Sequence, residues 1–293
     1  MEQWNKDTLL IDEVSTLEMV QMFNREDQKV AAAVGRCQGE ISAAIEMIVE
    51  GLQAGGRLFY IGSGTGGKLG VLDATECPPT FGTDDNTVIG LISGGEEAIS
   101  GWREDTEDDE ELALEDLKKR NFDSRDVLVA ISASGNTPYV LSAVRYAKTL
   151  NSKTIGLCCS LSGNLESITD LCIVIDVGPE VIMGSTRLKA GTAQKMVLNM
   201  LSSCSMIKMG KTYNNLMVDV RPINAKLKKR VIDIITLTTG KGERFATQAL
   251  EKAKGNVKVA ILMLVMNLNA TVAYALLKKH NGYLKKAVKD DSF

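Results

Sequence analysis

The chain has 293 residues, of which 44% are hydrophobic and 24% are charged, so it can bury the core of one large domain with a small appendage. Its net charge of −3 argues against a nucleic-acid-binding surface and predicts that an anionic ligand is held by local donors. The chain has a single histidine, His280. This argues against a Ser-His-Asp triad and against a histidine-rich metal site.

The cysteines and the N-terminus indicate the compartment. The six cysteines form no C-x-x-C pair and lie mostly in apolar runs, which is typical of reduced thiols. The first residues do not combine a basic segment with an apolar one, and the most apolar run, residues 257–266, is too short to span a bilayer. We therefore expect a cytoplasmic protein that is not bound to a membrane.

The chain begins with helices. Ser15 and Glu18 have the spacing of a capping box, which predicts a helix that starts there. Between residues 26 and 54 apolar residues recur at steps of three and four, until Gly55 and Gly56 end the pattern. This pattern predicts one long amphipathic helix, whose apolar stripe either covers a face of a sheet or forms part of a dimer seam.

Five short apolar runs follow, each bounded by glycine or serine and separated by helix-like segments. The runs are residues 58–61, 88–92, 127–131, 154–158 and 172–175. This alternation predicts an α/β fold, a three-layer αβα domain with a five-stranded parallel sheet. In such sheets ligands bind at the carboxyl ends of the strands, so the loops at those ends are the candidate site.

The first strand leads into a glycine-rich loop, GSGTGGK. Such a loop lets the backbone approach an anion at the start of the next helix, which predicts a phosphate-binding site. Gly62, Gly64 and Gly67 also match part of the dinucleotide fingerprint, and Lys68 nearly completes a P-loop. Both matches are partial, because the second strand ends in Ser-Gly-Gly and Leu69 stands where a magnesium-binding hydroxyl is required. A nucleotide-binding enzyme remains a weaker alternative.

Two further loops carry candidate phosphate ligands. The sequence SASGNT after the third strand places hydroxyls and amides just before Pro138, at a helix start, where a phosphate monoester can bind. After the fifth strand, the segment 184–195 contains Ser185 and Lys189 and opens another helix. Its cations are not favoured by the helix dipole, so they either have a function or lie on a solvated surface.

Beyond Asp219 the alternation of strands stops. Residues 222–239, 243–254 and 257–279 have helical patterns with glycines between them. We therefore expect two domains, residues 1–220 and a small helical C-terminal domain of residues 221–293. The lysines near the end of the chain are interpreted as a solvated helix face.

Two glutamates are candidates for proton transfer. Glu76 precedes Pro78 and Pro79, which predict a stiff extended segment beside the phosphate loop and a raised carboxyl pKa suited to acid catalysis. Glu107 lies in an acidic run, residues 104–111. On composition alone that run predicts a solvated face.

Four segments resemble the N-acetylmuramic acid 6-phosphate etherase family, part of the sugar isomerase (SIS) group of phosphosugar-binding proteins. The segments are GVLDATECPPTFG, ASGNTPYV, RLKAGTAQKMVLNML and NLMVDVRPINAKL. The resemblance extends from residue 11 to residue 282. It implies an enzyme of peptidoglycan recycling, a homodimer with sites near the subunit interface. The reaction would cleave the D-lactyl ether of N-acetylmuramic acid 6-phosphate without a cofactor, giving N-acetylglucosamine 6-phosphate and D-lactate.

The resemblance also assigns roles. It places the proton donor on Glu76 and the second essential carboxylate on Glu107. The phosphorylated amino sugar would be bound by residues of the three loops. These are Ser63, Thr65, Gly66, Gly67, Lys68, Ser132, Ser134, Gly135, Asn136, Thr137, Ser185 and Lys189.

One departure and two further alternatives remain. The family usually reads G-T-S-G-R in the first loop, whereas this chain has Gly66 and Lys68 in place of the serine and arginine, which predicts weaker phosphate binding or a shifted substrate. A non-catalytic sugar-phosphate sensor, similar to the glucokinase regulatory protein, is one alternative. An aldose-ketose phosphosugar isomerase is the other.

Overall fold

The computed structural model describes residues 3–101, 106–220 and 225–290. The chain divides into two compact units, the first formed by Met1–Thr75 and Asn86–Ser205 and the second by Glu76–Asp85 and Met206–Phe293. The expected domain boundary after residue 220 stays a prediction.

The first unit contains a five-stranded sheet with the order β2-β1-β3-β4-β5, in which every neighbouring pair is parallel. The strands are β1 (Leu58–Gly62), β2 (Val88–Ile92), β3 (Val127–Ile131), β4 (Lys153–Cys158) and β5 (Leu171–Val174). All five expected strands are present, and their ends differ from the predicted ones by one residue at most. The predicted fold class is confirmed.

Helices cover both faces of this sheet. They are α1 (Thr16–Gly35), α2 (Gln38–Gln53), α3 (Gly64–Phe81), α4 (Gly95–Ser100), α5 (Glu110–Lys119), α6 (Pro138–Thr149), α7 (Leu165–Ile168) and α8 (Lys189–Lys208), preceded by a 3₁₀ turn at Lys6–Thr8. On one face Phe59 and Leu128 share a buried cluster with Leu117 of α5 and Tyr139 of α6.

The opposite face holds α2, α3 and α8. Gly51 of α2 lies so close to the sheet that a Cβ there would be 2.5 Å from Cγ2 of Val127. Asp73 of α3 accepts hydrogen bonds from the Tyr60 hydroxyl of β1, at 3.0 Å, and from the Asn199 amide of α8, at 2.7 Å. Side chains of adjacent strand residues therefore point to opposite helical layers, as the pleat requires.

The capping box at Ser15 and Glu18 is confirmed, but the single long helix over residues 26–54 is wrong. The chain forms α1 and α2 instead, with a break at Arg36 and Cys37. At the break the Arg36 guanidinium donates to the carbonyl of Asp176 and the Cys37 thiol to that of Val174. Because Gly35 also lowers the local helix propensity, these contacts with the end of β5 outweigh the continuous apolar pattern.

The second unit is mainly helical. Its described residues form a two-stranded antiparallel hairpin and, after it in the chain, five helices. The strands are β6 (Thr212–Tyr213) and β7 (Leu216–Met217), and the helices are α9 (Ala225–Thr239), α10 (Glu243–Lys252), α11 (Val257–Val265), α12 (Ala270–Lys279) and α13 (Leu284–Val288). Buried side chains from α9 to α13 share one core, which includes Ile235, Ala260 and Leu276. Residues 222–224 of the first predicted helix lie outside the described residues.

The predicted helix over residues 257–279 is wrong as a single element, because it is divided between α11 and α12 and the chain bends by 109° between them. Asn267 adopts a positive φ of 53°, and the Asn269 side chain accepts from the N–H of Val272 to start the second helix. Both are conformations that asparagine favours. Among the described residues no single helix is long and apolar enough to cross a membrane, although the bent pair α11 and α12 meets that test by length and composition.

Candidate functional site

The strand order locates the candidate site. In a parallel sheet with the order 2-1-3-4-5, the chain leaves β1 and β3 in opposite directions, and the crevice beyond their carboxyl ends is where ligands bind. The two loops that reach this crevice are GSGTGGK after β1 and SASGNT after β3. They are two of the three loops in which the sequence predicts phosphate ligands.

The glycines of the first loop allow α3 to start directly on β1. A Cβ on Gly67 would lie 2.6 Å from the carbonyl oxygen of Gly62, and one on Gly66 would lie 2.9 Å from Cγ2 of Ile131. The first hydrogen bond of the helix joins the Gly67 N–H to the Ser63 carbonyl. The amides of residues 64–66 therefore precede the helical ladder, in the position where helix termini bind anions.

Three other residues of this loop, Ser63, Thr65 and Lys68, differ in their burial and in what their side chains contact. The hydroxyl of Ser63 is buried and has no hydrogen-bond partner in the described structure. The methyl group of Thr65 lies against the start of α8, 3.2 Å from the position of a Cβ on Gly191. Lys68 is exposed, and its ammonium donates to the carbonyl of Gly101 at 3.2 Å. A role for Lys68 in holding the phosphate would require it to leave that carbonyl.

The loop after β3 is a compact cluster of hydroxyls. The oxygen of Ser132 lies 2.8 Å from that of Thr137 and 3.3 Å from that of Ser134, and it accepts the Gly135 N–H at 3.0 Å. Gly135 has a φ of +73°, which only glycine adopts readily. The side-chain oxygen of Asn136 accepts the N–H of Asn164 at 2.9 Å, which ties this loop to the one after β4.

Glu107 lies between these two loops. Its Oε1 atom is 3.2 Å from the position of a Cβ on Gly64, the first residue of α3. Its carbonyl accepts the N–H of Tyr139 at 3.0 Å, near the start of α6. The prediction from composition, that Glu107 belongs to a solvated face, is therefore wrong for this half-buried residue. Residues 104 and 105 of the acidic run lie outside the described residues.

The chain is similar to known proteins over nearly its whole length. The chain is 49% identical to N-acetylmuramic acid 6-phosphate etherase from Clostridium beijerinckii, over 99% of this chain and 95% of that protein. It is also 49% identical to the etherase from Caldanaerobacter subterraneus, with 97% and 93% covered. This chain belongs to the N-acetylmuramic acid 6-phosphate etherase family.

Two domain models place this etherase family member in the wider SIS group, and solved structures share its fold. Residues 40–148 match the N-terminal SIS domain of the glucokinase regulatory protein, and residues 107–203 match the SIS domain. Phosphoheptose isomerase from Neisseria gonorrhoeae has the same fold, with a TM-score of 0.50 and 17% identity over 65% of this chain and 98% of that one. A solved protein from E. coli CFT073 gives a TM-score of 0.51 and 18% identity, over 68% of this chain and 95% of that one.

The position of Glu107 in this family member depends on α6, through contacts that the sequence analysis did not identify. The Tyr139 hydroxyl donates to Asp116 of α5 at 2.8 Å, and the Ser142 hydroxyl donates to the carbonyl of Glu110 at 2.8 Å. Burial raises the pKa of the Asp116 carboxyl, and it also raises that of Tyr139. With the Tyr139 N–H, these bonds attach the segment from Glu107 to Asp116 to one helix. The sequence offers one signal for these contacts: Tyr139 and Ser142 are three residues apart, so they lie on the same face of a helix.

Glu76, the proton donor expected from the family resemblance, lies on the fourth turn of α3 and is exposed in the single chain. The predicted extended segment is wrong, because α3 continues through Pro78 and Pro79 to Phe81. Each proline removes one helical N–H, but the prolines fall in the last two turns, where Cys77 and Phe81 are buried. Burial of that apolar face outweighs the loss of two helical hydrogen bonds.

The start of α8 carries the remaining predicted ligands, Ser185 and Lys189. The ammonium of Lys189 is 1% exposed and pairs with the Glu26 carboxylate at 2.6 Å. The carboxylate of Glu180 accepts the N–H groups of Lys189 and Ala190, each at 2.9 Å, so a protein carboxylate already occupies the anion position of this helix. Ser185 is half-buried in the preceding turn. Substrate binding by Lys189 stays a prediction and would require its pair with Glu26 to open.

Proposed function

We propose that this chain cleaves the D-lactyl ether of N-acetylmuramic acid 6-phosphate, producing N-acetylglucosamine 6-phosphate and D-lactate, and so acts as a carbon-oxygen lyase. One observation carries the proposal. Curated proteins with the name of this etherase are 45–49% identical to the chain over 97–99% of its length. A role in peptidoglycan recycling follows from the chemistry of that substrate.

In this proposal the phosphate group binds at the crevice beyond β1 and β3. The amides at the start of α3 provide N–H donors, and the macrodipole of an 18-residue helix favours an anion there. The hydroxyls of Ser132, Ser134 and Thr137 provide further donors on the opposite side of the crevice. Together they can satisfy several oxygens of a phosphate monoester.

The elimination step requires two proton transfers. In the open-chain aldehyde form of the sugar, the C2 proton is acidified by the adjacent carbonyl, so a carboxylate can remove it. The electrons form the C2–C3 double bond as the C3–O bond to lactate breaks, and a carboxylic acid protonates the departing oxygen. Water then adds at C3 and a proton returns to C2, which gives N-acetylglucosamine 6-phosphate.

We assign the acid to Glu76 and the base to Glu107. The position of Glu107 supports its role, because its carboxyl group lies at the crevice, with Oε1 3.2 Å from the position of a Cβ on Gly64. The assignment of Glu76 rests on its place in the T-E-C-P-P-T segment that resembles the family. Enzymes that use two carboxyl groups in this way need environments that separate their pKa values.

We further propose a cytoplasmic homodimer. The exposure of Glu76 in the single chain supports a site near a subunit interface, where a second chain would remove its carboxyl group from water. A sedimentation or light-scattering measurement tests the dimer directly, and a monomer with full activity would refute it.

The decisive experiment uses N-acetylmuramic acid 6-phosphate in ¹⁸O water. We expect D-lactate without label and N-acetylglucosamine 6-phosphate with ¹⁸O at C3, because the elimination breaks the C3–O bond. Glu76→Gln and Glu107→Gln should each reduce lactate release by roughly 10² to 10⁴, and Glu111→Gln, an exposed neighbour on α5, should leave it unchanged.

Other outcomes would assign other functions. Absence of lactate would reject the etherase, and lactate release by Glu76→Gln at the parent rate would reject the acid role alone. Binding of the sugar phosphate without turnover would indicate the non-catalytic sensor, and an aldose-to-ketose conversion would indicate the isomerase. The high identity to etherases over nearly the whole chain favours neither alternative.

A further inference from the structure

A second cavity lies wholly within the second unit, at the end of α8. It has a volume of about 430 Å³ and is bounded by the Gly210 turn, the β6–β7 hairpin and α13. This size is in the range of pockets that hold a small organic molecule. Nothing in the proposed reaction uses it.

The lining of this cavity combines apolar walls with positive charge. Ile207, Leu284 and the ring of Tyr283 form apolar surface, and Lys285, Lys286 and Lys289 add three ammonium groups. Of the described residues that line the cavity, none is acidic. Three like charges within five residues repel one another, and Lys285 and Lys289 have the i, i+4 spacing at which this costs stability. In a chain of net charge −3, this is a local concentration of positive charge that an anion would relieve.

The walls of the cavity are held in place by buried contacts. The ring of Tyr283 lies against Gly210, where a Cβ would be 2.8 Å from it, and the Tyr283 hydroxyl donates to the carbonyl of Lys208. The ammonium of Lys258 is buried and donates to the carbonyls of Gly210 and Gly282, each at 2.9 Å, while it pairs with Asp219. The two segments that flank the cavity are therefore fixed to one buried cation, and the cavity is preformed.

The polar groups at its rim are already oriented. Lys286 lies 4.4 Å from the centre of the Tyr283 ring, and Lys285 donates to the side-chain oxygen of Asn214 at 3.2 Å. If the anionic group of a small ligand binds among the lysines, the rest of that ligand, a ring or an apolar body, contacts Tyr283 and Leu284. We propose that this cavity binds a small organic anion, a phosphate or carboxylate carried on an apolar or ring-shaped body.

The test uses the fluorescent probe 8-anilinonaphthalene-1-sulfonate, which combines a sulfonate with aromatic rings, titrated into the full chain. We expect binding of a single equivalent that weakens as salt is added. The triple variant K285E/K286E/K289E should raise the dissociation constant at least about tenfold. The control K241E/K252E/K278E changes three exposed lysines of the same unit outside the cavity and should bind like the parent.

A second variant separates shape from charge. Thr212→Phe fills the cavity from β6 without changing the charge, and it should abolish the fluorescence signal while circular dichroism shows an intact fold. The proposal is overturned if the parent binds no single equivalent of the probe, if the control variant weakens binding as much as the cavity variant, or if Thr212→Phe binds normally.

Displacement of the probe by adenosine monophosphate, but not by glucosamine 6-phosphate, would assign a nucleotide, and the reverse result would assign a sugar phosphate. Lactate release is not needed for any of these readings.

Discussion

The pair of Glu26 and Lys189 provides the sharpest test of how the crevice is built. Both side chains are almost fully buried, at 3% and 1% exposure, and they join α1 to the start of α8. Glu26→Gln keeps the shape of the side chain but leaves the ammonium of Lys189 buried beside a neutral amide. Removing one partner of a buried ion pair costs roughly 3–5 kcal/mol.

The pKa of Glu26 gives a second value for the free energy by which its carboxylate stabilises the fold. Burial of the carboxyl alone would raise its pKa, but hydrogen bonds from Lys189, Lys29 and Asn5 outweigh burial and lower the pKa from 4.5 to about 2. Since the folded pKa is the lower one, the carboxylate stabilises the fold above pH 5 and loses this effect as the pH falls towards 2. The difference amounts to about 3 kcal/mol at neutral pH, of which about 2 kcal/mol is lost by pH 3.

Urea unfolding at pH 7 and pH 3, followed by circular dichroism, measures both effects. Glu26→Gln should be about 3 kcal/mol less stable than the parent at pH 7, and the gap should shrink to about 1 kcal/mol at pH 3. The control Glu40→Gln, at an exposed site on α2, should match the parent at both pH values. A gap of the same size at both pH values would refute the reasoning. The double variant E26Q/K189M should recover part of the loss, because an apolar side chain tolerates burial without a partner.

Three other predictions follow from the described contacts. Gly67→Ala should lower stability by roughly 1–3 kcal/mol in thermal unfolding, because its Cβ would lie 2.6 Å from the Gly62 carbonyl oxygen. Ser142→Ala removes the hydrogen bond to the Glu110 carbonyl, so kcat for lactate release should fall several-fold, by about 1 kcal/mol, with KM unchanged because the phosphate contacts remain. Lys258→Met leaves Asp219 and two carbonyls without this donor and should destabilise the second unit by roughly 3 kcal/mol, measured by hydrogen exchange in α11 and α13.

Each of these three has a matched control. Gly35→Ala, where a Cβ meets nothing within 4 Å, should not lower stability as Gly67→Ala does. Ser167→Ala removes a hydroxyl that bonds to a carbonyl at a site distant in sequence from Glu107, so an equal fall in kcat would show that the Ser142 effect is not specific. Lys252→Met, at an exposed position, should leave hydrogen exchange unchanged.

The sheet was predictable because its signals are local. Each strand is a short apolar run, and the central strands β1 and β3 are buried on both faces, which is typical of a parallel sheet covered by helices. The helix breaks at Cys37 and Asn267 were not predicted, since they depend on what the chain touches there. Arg36 and Cys37 reach carbonyls more than 130 residues away, and periodicity within a helix carries no information about such contacts.

In the candidate site, too, some features have a local sequence signal and others depend on tertiary contacts. The loops after β1 and β3 have a local signature that predicts phosphate binding, and the structure places them at the ends of neighbouring strands. Glu107 has none, because an acidic run looks alike whether or not one member turns inward, and its position follows from tertiary bonds to α6. The family resemblance predicts a role for it where composition does not. Lys189 is the opposite case, since its place in a resembling segment predicted a ligand, whereas its burial with Glu26 gives it a structural contact.

The glycines of the first loop explain its partial matches to three motifs. These are the dinucleotide fingerprint, the P-loop and the G-T-S-G-R loop of the etherase family. In this chain Gly62 and Gly67 are required by the contact of α3 with β1, because a side chain at either position would collide with the other's backbone. Any fold that starts a helix directly on a buried strand meets that constraint, whatever ligand it binds. Under the function proposed above, the groups that recognise the ligand would lie outside those glycines, in Glu107 beside Gly64 and in the hydroxyl cluster after β3. They would bind a phosphosugar whose carbon skeleton loses a proton, with the chemistry at the junction of α3 and α6 rather than in the glycine loop itself.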